Sequence, residues 1–463
     1  MLRKTESALS SIPLNCADKC LLTLDSINEP MLIHVILSLE GEVDHVRLNQ
    51  AIFSAQQAHP VMRTILRSKN LKLFREIQGD LGKGVLSVAD QAQFQGTNYE
   101  GYLSSWMNQP LNIQEEFPVR VLLLKKKNER ESSLVFTFHH SAADGLRALL
   151  FIRKVIESYN NELSKNSQSP LDIRINRKGD ELLEFAHSQR SKVEHYYKKM
   201  LYSLFHRFVI AAVPPPTRVF HDKSGHSREL GFCFRVIGPR EFEEIQSKAM
   251  SVGVELNHIF LAACYRTVGK WNSMHGKASN KVRIMAPVNI SPKGFRFVVS
   301  NQASWFSLPT KPKDRADPAE LLRKVRSDTI NATRNRTAFS LIYFFYFCCR
   351  FPLWVMKGMC RFLIITRTYV DTILFTNVGF IWPKLGSEEP AVRNIGNAKI
   401  LNVTGSAPTV TPMGLGIASG TYNRNLNFSL SYRTALFSEE KAQMFLALYV
   451  DEIKKYQVGA KSP

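Results

Sequence analysis

Two adjacent histidines are the residues of this chain best suited to acid–base chemistry. His139 and His140 are followed by three small residues and then by Asp144 and Gly145. An imidazole changes its protonation state near neutral pH, so it can accept a proton in one step of a reaction and return it in the next. Each residue also has an ordinary structural explanation, because an aspartate can cap a helix and a glycine can permit a tight turn.

The sequence on either side predicts how these side chains are held. Residues 134–138, Leu-Val-Phe-Thr-Phe, have the composition of a buried strand. Between 146 and 156 the apolar residues recur with the spacing of a helix. The histidines therefore fall where a strand opens into a helix, which is a rigid place for a catalytic group.

The pattern His139-His140-x-x-x-Asp144-Gly145 resembles the signature of the chloramphenicol-acetyltransferase-like superfamily. Its members include condensation domains, hydroxycinnamoyl-type transferases, alcohol acetyltransferases, polyketide-associated acyltransferases and wax ester synthases. Other segments resemble the family in the expected order, so that the resemblance covers nearly the whole chain. They are the strand and helix start at 31–44, the strand at 282–290, the loop and strand at 300–309, Thr376-Asn377-Val378-Gly379, a hairpin that begins at 414 and turns at 423–425, and the last helix at 438–455.

The resemblance implies an α/β fold of two chloramphenicol-acetyltransferase-like lobes. Each lobe is expected to be a mixed β-sheet with helices, with the active-site tunnel between the lobes. A polar loop, a long helix-like stretch and Pro214-Pro215-Pro216 suggest where the halves divide. We predict an N-terminal lobe at 1–180 that carries the histidine motif, a helical linker at 181–225, and a C-terminal lobe at 226–463.

The activity that the resemblance implies is acyl transfer from a thioester to an acceptor. His140 is expected to take the proton of the acceptor as it attacks the thioester carbonyl, and no covalent enzyme intermediate is needed. His139 is expected to pack the loop, and the backbone N–H of Gly145 to face the developing oxyanion. We expect no metal and no permanently bound cofactor, since the donor, acyl-CoA or a phosphopantetheine-linked acyl group on a carrier protein, is a substrate.

Other residues enter through their places in the family's segments. Asn377, Gly379, Asn301 and Ser304 are expected to shape the substrate channel. Asp144 of the motif is expected to pair with an arginine that fixes the loop, and Arg283 is the candidate; Asp144 as a plain helix cap is the alternative.

The Thr376-Asn377-Val378-Gly379 segment is closer in look to alcohol and lipid acyltransferases, which favours a small-molecule or lipid hydroxyl as the acceptor. The runner-up is a stand-alone condensation enzyme that forms an amide between carrier-bound substrates. A third hypothesis is a catalytically inactive binding member of the same fold. The choice between coenzyme A and a carrier protein as donor stays open.

The net charge and the cysteine content limit the kinds of binding partner and the cellular compartment that we expect for this protein. Lys and Arg number 61 against 40 Asp and Glu, which gives a formal net charge of +21 and favours an anionic partner. Nucleic acid is not expected, because zinc-finger spacing, an RNP-like motif and an Arg-rich tail are missing. Seven cysteines without a C-x-x-C pair, and no apolar leader, predict a cytoplasmic protein with reduced thiols, which we expect to be a monomer.

Residues 338–365 are strongly apolar and aromatic, and the stretch from Arg334 to Val370 holds basic residues but no acidic one. No uncharged run reaches the roughly 18–20 residues that a membrane span needs. Three interpretations stay open for 338–365: core helices, a wall of an acyl-chain tunnel, or a basic, aromatic surface in peripheral contact with a membrane.

Overall fold

The computed structural model describes most of the chain. The described residues are 11–69, 72–79, 84–90, 94, 98–126, 131–161, 215–291, 298–334, 338, 342, 345–346, 348–366, 371–382, 392–411 and 413–456. Of the predicted linker at 181–225, only 215–225 belongs to these residues, and the predicted long helix lies outside them. The predicted domain boundaries stay a prediction.

The helices are distributed along both halves of the described chain. They are α1 (Cys16–Asp25), α2 (His45–Ala58), α3 (Tyr99–Asn108), α4 (Gly145–Asn161), α5 (Pro239–Ser251), α6 (Leu256–Met274), α7 (Pro318–Arg334), α8 (Leu353–Thr366) and α9 (Glu439–Lys455).

The strands form two large sheets and one small one. They are β1 (Ser11–Pro13), β2 (Leu32–Glu40), β3 (Thr64–Lys69), β4 (Lys72–Ile77), β5 (Leu86–Ala89), β6 (Val119–Lys125), β7 (Glu131–His139), β8 (Leu230–Ile237), β9 (Val282–Asn289), β10 (Ala303–Thr310), β11 (Ile373–Phe380), β12 (Asn394–Ile395), β13 (Ala398–Ser406), β14 (Leu415–Tyr422) and β15 (Asn425–Arg433). The first sheet has the order β12-β13-β2-β7-β6-β5, the second β10-β9-β11-β14-β15-β8, and the small one β1-β4-β3.

Both large sheets are mixed, as predicted. In the first sheet β5 and β6 are parallel and the other pairs antiparallel. In the second, β11 runs parallel to β9 and β14, while the remaining pairs are antiparallel. Two mixed sheets, each covered by helices, confirm the predicted two-lobed α/β fold.

Strand β7, which leads to the histidines, is buried along nearly its whole length. Phe136 and Phe138 pack on one face of the sheet with α2 and α4, and Val135 packs on the other face with α3. Because β2 and β6 flank it on both edges, its backbone is hydrogen-bonded on both sides. A strand held on four sides fixes the position of whatever follows its last residue.

Two strands from the second half of the chain, β12 and β13, complete the first sheet. β13 pairs antiparallel with β2, from Lys399 opposite Glu40 to Ser406 opposite His34. It is also in contact with β14 and β15 of the second sheet. The two sheets are therefore joined along β13, and the space between them is walled by residues from both halves.

Candidate active site

His140 is the first residue after β7, and its backbone holds it in place. Its N–H donates to the Met31 carbonyl at 2.8 Å, in the segment before β2. The Nδ1 atom of its ring lies 3.1 Å from the Ala143 carbonyl oxygen. A carbonyl can only accept, so Nδ1 carries the proton, and the lone pair of the neutral ring is on Nε2.

Burial sets the protonation state of this ring. Removal from water lowers the pKa of His140 below 6.5, although the nearby Asp144 carboxylate and the hydrogen bond to Ala143 act in the opposite direction. A neutral imidazole with a free Nε2 is the form that can accept a proton at pH 7.

The side chain of His139 points away from the His140 ring, and it is only 1% exposed. Its Nδ1 accepts from the Ser141 N–H at 3.2 Å and from the Ser141 hydroxyl at 2.8 Å, which leaves the proton on Nε2. That Nε2 lies 3.7 Å from Oδ2 of Asp25, whose other oxygen accepts from Arg228 at 2.6 Å. Burial lowers the pKa of His139 as well. Its contacts are those of a side chain that packs and orients the loop.

Asp144 connects the histidine loop to the second half of the chain. Its Oδ1 accepts from the Arg147 N–H at 3.0 Å, which is the bond of a helix cap at the start of α4. Its Oδ2 accepts from the Gln302 N–H at 2.8 Å, just before β10. The carboxylate is thus a cap and also a link between the two halves.

The predicted pairing of Asp144 with Arg283 is corrected by the structure. Arg283 forms a buried ion pair with Asp371. Arg283 stands near the start of β9. Asp144 contacts the loop beside the other end of that strand, at Asn289. At roughly 3.3 Å per residue, Arg283 and Asn289 are about 20 Å apart. The arginine beside Asp144 is Arg147, with 4.0 Å between Nη1 and Oδ1.

A buried polar network that could not be predicted from the sequence lies behind the loop. Arg75 of β4 donates to the Ser141 carbonyl at 2.6 Å and to the Ser141 hydroxyl at 3.1 Å. Its guanidinium lies 3.8 Å from Asp18 of α1, and both side chains are almost inaccessible to solvent. Burial raises the pKa of Asp18 to about 7, although Arg75 lowers it. The arginine stands in an ordinary alternating strand, so its sequence carried no signal of this role.

Gly145 begins α4 at a point where another chain segment comes close. A Cβ at this position would lie 3.3 Å from Cγ1 of Val378 in β11. The N–H groups of a helix's first turn have no partner within the helix, so the Gly145 amide is one of the donors that α4 leaves available.

Asn377 and Gly379 shape a bulge in β11. The Asn377 carboxamide oxygen accepts from the Gly379 N–H at 2.9 Å, and Gly379 has φ +72°, a left-handed conformation that favours glycine. The register with β14 shifts between Asn377 and Phe380. The bulge turns Val378 towards Gly145. The segment 376–379 is thereby in contact with the histidine motif at 139–145.

Asn301 and Ser304 use their side chains within the protein. The Asn301 carboxamide oxygen accepts from the Ala303 N–H at 3.2 Å, and the Ser304 hydroxyl donates to the Ala338 carbonyl at 2.7 Å. Both residues are buried.

A cavity of about 360 Å³ brings most of the predicted site residues together. The predicted residues that line it are His140, Asp144, Gly145, Asn301, Ser304 and Asn377. His139, Gly379 and Arg283 are not among the lining residues. The remaining wall is mostly apolar and comes from α1, β2, α4, β9, β10, α8, β11, β13, β14 and β15. A cavity of this size with few convergent polar groups is typical of a small-molecule site.

His34 of β2 also lines the cavity, although no motif marks it in the sequence. Its Nδ1 lies 3.0 Å from the Thr137 hydroxyl, and burial lowers its pKa to about 3. It is therefore a neutral polar group in the wall. Among the described residues, no cluster of three or more His, Cys, Asp or Glu could hold a metal ion.

Comparisons with known proteins agree with this architecture. The family model of the condensation domain matches residues 22–279. The first condensation domain of the calcium-dependent antibiotic synthetase, in complex with a substrate analogue, superimposes with a TM-score of 0.72 over 98% of both chains at 13% identity. SgcC5 from Streptomyces globisporus gives 0.67 at 16% identity, over 97% of this chain and 100% of that one.

The condensation domain from the Monacolin K polyketide synthase MokA gives a TM-score of 0.68 at 13% identity, over 97% of this chain and 98% of that one. At such identities these structures show a shared fold. The family model covers more than half of the chain, and condensation-domain members are acyl-transferring enzymes. This chain, with its two mixed sheets and its histidine loop at the end of β7, belongs to the condensation-domain family.

Proposed function

We propose that this protein transfers an acyl group from a thioester, on coenzyme A or a carrier protein, to the hydroxyl of a small-molecule or lipid acceptor. The observation that supports it most is the hydrogen bond from Nδ1 of His140 to the Ala143 carbonyl. It leaves the basic lone pair on Nε2, in a ring that lines the cavity.

In the proposed reaction, Nε2 of His140 takes the proton of the acceptor hydroxyl while its oxygen attacks the thioester carbonyl carbon. The Gly145 N–H donates to the oxyanion that develops on the carbonyl oxygen. The C–S bond then breaks, the carbonyl reforms, and the imidazolium returns the proton to the departing thiolate. No bond to the enzyme is formed, and the proton that leaves the hydroxyl ends on the thiol.

The hydroxyl acceptor is supported by the Thr376-Asn377-Val378-Gly379 segment, which looks closer to alcohol and lipid acyltransferases. The apolar wall of the cavity supports an acyl chain or an apolar acceptor. The competing proposals are amide formation between carrier-bound substrates and a binding role without catalysis. Each of them predicts a different outcome of one experiment.

That experiment measures thiol release and products. Purified protein is given acetyl-, octanoyl- and palmitoyl-CoA, and then the same acyl groups on a carrier protein, with a pool of alcohols or of amines. Products are identified by mass spectrometry. The variants are His140→Ala and, as a control, His226→Ala, an exposed histidine remote in sequence from the loop.

We expect ester formation that falls roughly 10²- to 10⁴-fold in His140→Ala and stays unchanged in His226→Ala. Because burial holds the pKa of His140 below 6.5, kcat/KM should be on its plateau at neutral pH and fall on acidification through that pKa. Amide products alone would replace the proposal by the condensation reaction. No acceptor-dependent release from any donor would replace it by the binding role.

A further inference from the structure

Helix α8 is apolar on two opposite sides. Its inner side lines the cavity with Met356, Met359, Cys360, Leu363 and Ile364. On the outer side Trp354 is 75%, Phe362 63% and Ile365 79% exposed. An ordinary surface helix carries polar residues on the side that faces away from the core. The outer side of α8 instead exposes large apolar side chains to solvent, which is typical of an interaction surface.

Two cations lie among these exposed side chains. At 3.6 residues per turn, Lys357 and Arg361 fall on the same side of α8 as Trp354 and Ile365. No acidic residue occurs between 329 and 370 in the sequence. In the part of the chain that the structure describes, neither Lys357 nor Arg361 takes part in an ion pair. The outer side therefore combines exposed aromatic and aliphatic groups with unneutralised positive charge.

This combination matches an anionic lipid surface better than a protein partner. Tryptophan is enriched at the membrane–water interface, and Lys and Arg meet the phosphates of anionic lipids. α8 has 14 residues, or about 21 Å at roughly 1.5 Å per residue, which is shorter than a bilayer core. Among the described helices, none is long and apolar enough to span a membrane. A helix of this kind lies in the interface.

We propose that α8 docks this protein on anionic phospholipid, with Trp354, Phe362 and Ile365 inserted among the headgroups and Lys357 and Arg361 on the phosphates. The same helix walls the cavity, so docking brings that wall to the membrane and lets an apolar long-chain substrate pass from lipid to the cavity. The substrate's identity rests on the proposed function, whereas the docking rests on the surface of α8 alone.

Vesicle co-sedimentation tests the docking. The protein is mixed with vesicles of phosphatidylcholine, or of phosphatidylcholine and phosphatidylglycerol in equal amounts, at low and at high salt. The apolar variant combines Trp354→Ser, Phe362→Ser and Ile365→Ser. Its matched control combines Val46→Ser, Met250→Ser and Met274→Ser, which are exposed to similar extents on other helices. The charge variant combines Lys357→Gln and Arg361→Gln.

We expect the protein to sediment with the anionic vesicles and to be released by salt. Each of the three apolar changes should weaken binding roughly tenfold or more, because its side chain no longer leaves water on docking. The charge variant should lose about 25-fold on anionic vesicles, roughly fivefold for each cation. The control combination should bind like the unchanged protein, and circular dichroism and thermal unfolding should show that all variants are folded.

The proposal is overturned if the unchanged protein does not sediment with anionic vesicles, or if the apolar variant binds as well as its control. It is also overturned if the apolar changes instead dissolve a dimer of this chain in solution. The variant His140→Ala should bind vesicles normally. Vesicle binding without any thioester turnover would therefore contradict the proposed function and support the docking. Turnover without vesicle binding would contradict the docking and support the proposed function.

Discussion

The histidine loop, residues 139–145, and helix α8 wall the same cavity but are held in different ways. The loop is fixed by directional polar bonds, which include Arg75 to Ser141 and Asp144 to the Gln302 N–H. α8 is placed against α1 and against a cluster of apolar side chains and thiols around Ile342 and Cys348. The position of the loop is therefore set by hydrogen-bond geometry, whereas the position of α8 is set mainly by the packing of apolar side chains.

The difference matches what the proposed function requires of each wall. A proton-transfer group must be held to a fraction of an ångström, because a small displacement costs a large factor in rate. An apolar substrate tail needs space and exclusion of water, and apolar packing tolerates exchange of similar side chains. Polar changes at the loop should therefore affect rate and stability together, whereas changes at α8 should affect substrate choice.

Among the changes that compare the two walls, the largest effect is expected at Asp144. In Asp144→Ala the backbone N–H groups of Gln302 and Arg147 lose their acceptor. The buried Arg147 guanidinium keeps its hydrogen bonds to Ser291 and to the Gln302 side chain but loses the carboxylate beside it. Breaking such a buried charged contact should lower the free energy of unfolding by about 3–5 kcal/mol, and displacement of the loop should lower kcat/KM about 100-fold. Urea unfolding and the thiol-release assay measure the two quantities.

Asp317→Ala is the matched control for that change. Asp317 also caps a helix, with its Oδ1 accepting from the Ala319 and Glu320 N–H groups, but it is exposed. Its replacement should cost clearly less stability and leave kcat/KM unchanged. Equal losses in the two variants would mean that Asp144 acts only as a cap.

A pH-dependent effect is expected from Asp18, which supports Arg75 behind the loop. Its pKa is raised from 3.8 to about 7 by burial, so between these values the folded protein holds a proton that the unfolded chain has lost. Stability from this group is therefore full below the unfolded pKa and is lost as the pH rises through about 7. From about pH 5 to about pH 8 the loss should be on the order of 3 kcal/mol.

Asp18→Asn should remove that loss, and chemical unfolding across this pH range measures the difference between the two proteins. Asp222→Asn is the control. Partial burial raises the pKa of Asp222, but hydrogen bonds from Ser438 more than offset it and the pKa is lowered. Its contribution to stability is lost only at acidic pH, so the slope between about pH 5 and about pH 8 should not change. An unchanged slope in Asp18→Asn would contradict the prediction.

The smallest effect is expected on the α8 side. Leu363→Trp adds bulk to the apolar wall of the cavity and should exclude about two methylene groups of a long substrate. Preference for palmitoyl over octanoyl donors should then fall about 15-fold, at roughly 0.8 kcal/mol for each methylene. Product ratios in competition, without vesicles, measure the preference.

Ile365→Trp makes the same kind of change two residues further along α8, on its outer side, and should leave the ratio unchanged. An identical shift in both variants would indicate that α8 moves as a whole. No shift in Leu363→Trp would place the acyl chain elsewhere in the cavity.

Features that depend on neighbours in the chain could be predicted from the sequence. The hairpin expected around Asn423–Asn425 is present, with Asn423 and Arg424 both at positive φ between β14 and β15. The last helix runs over Glu439–Lys455 and is capped by Ser438, close to the predicted bounds. Turn residues, caps and apolar spacing act over a few residues, so the sequence displays them directly.

The placement of His140 at the end of a buried strand also followed from local patterns. The hydrogen bonds that hold the loop around it could not be predicted from local patterns. Arg75 meets Ser141 across 66 positions, and Gln302 meets Asp144 across 158. Arg283 was assigned to the wrong acid because its partner, Asp371, is 88 positions away and no local pattern marks the pair.

By itself the sequence determined the family and the fold class and located the residues to which we assign the proposed proton transfer, because these features reside in short motifs and in the periodicity of strands and helices. Only the tertiary structure decided which arginine supports the loop, that β13 joins the two sheets, and that α8 has one apolar side on the cavity and another in the solvent. Those facts depend on which distant segments come into contact when the chain packs. Because the hydrophobic effect is non-directional, the sequence of an apolar segment does not indicate which other segment it will contact.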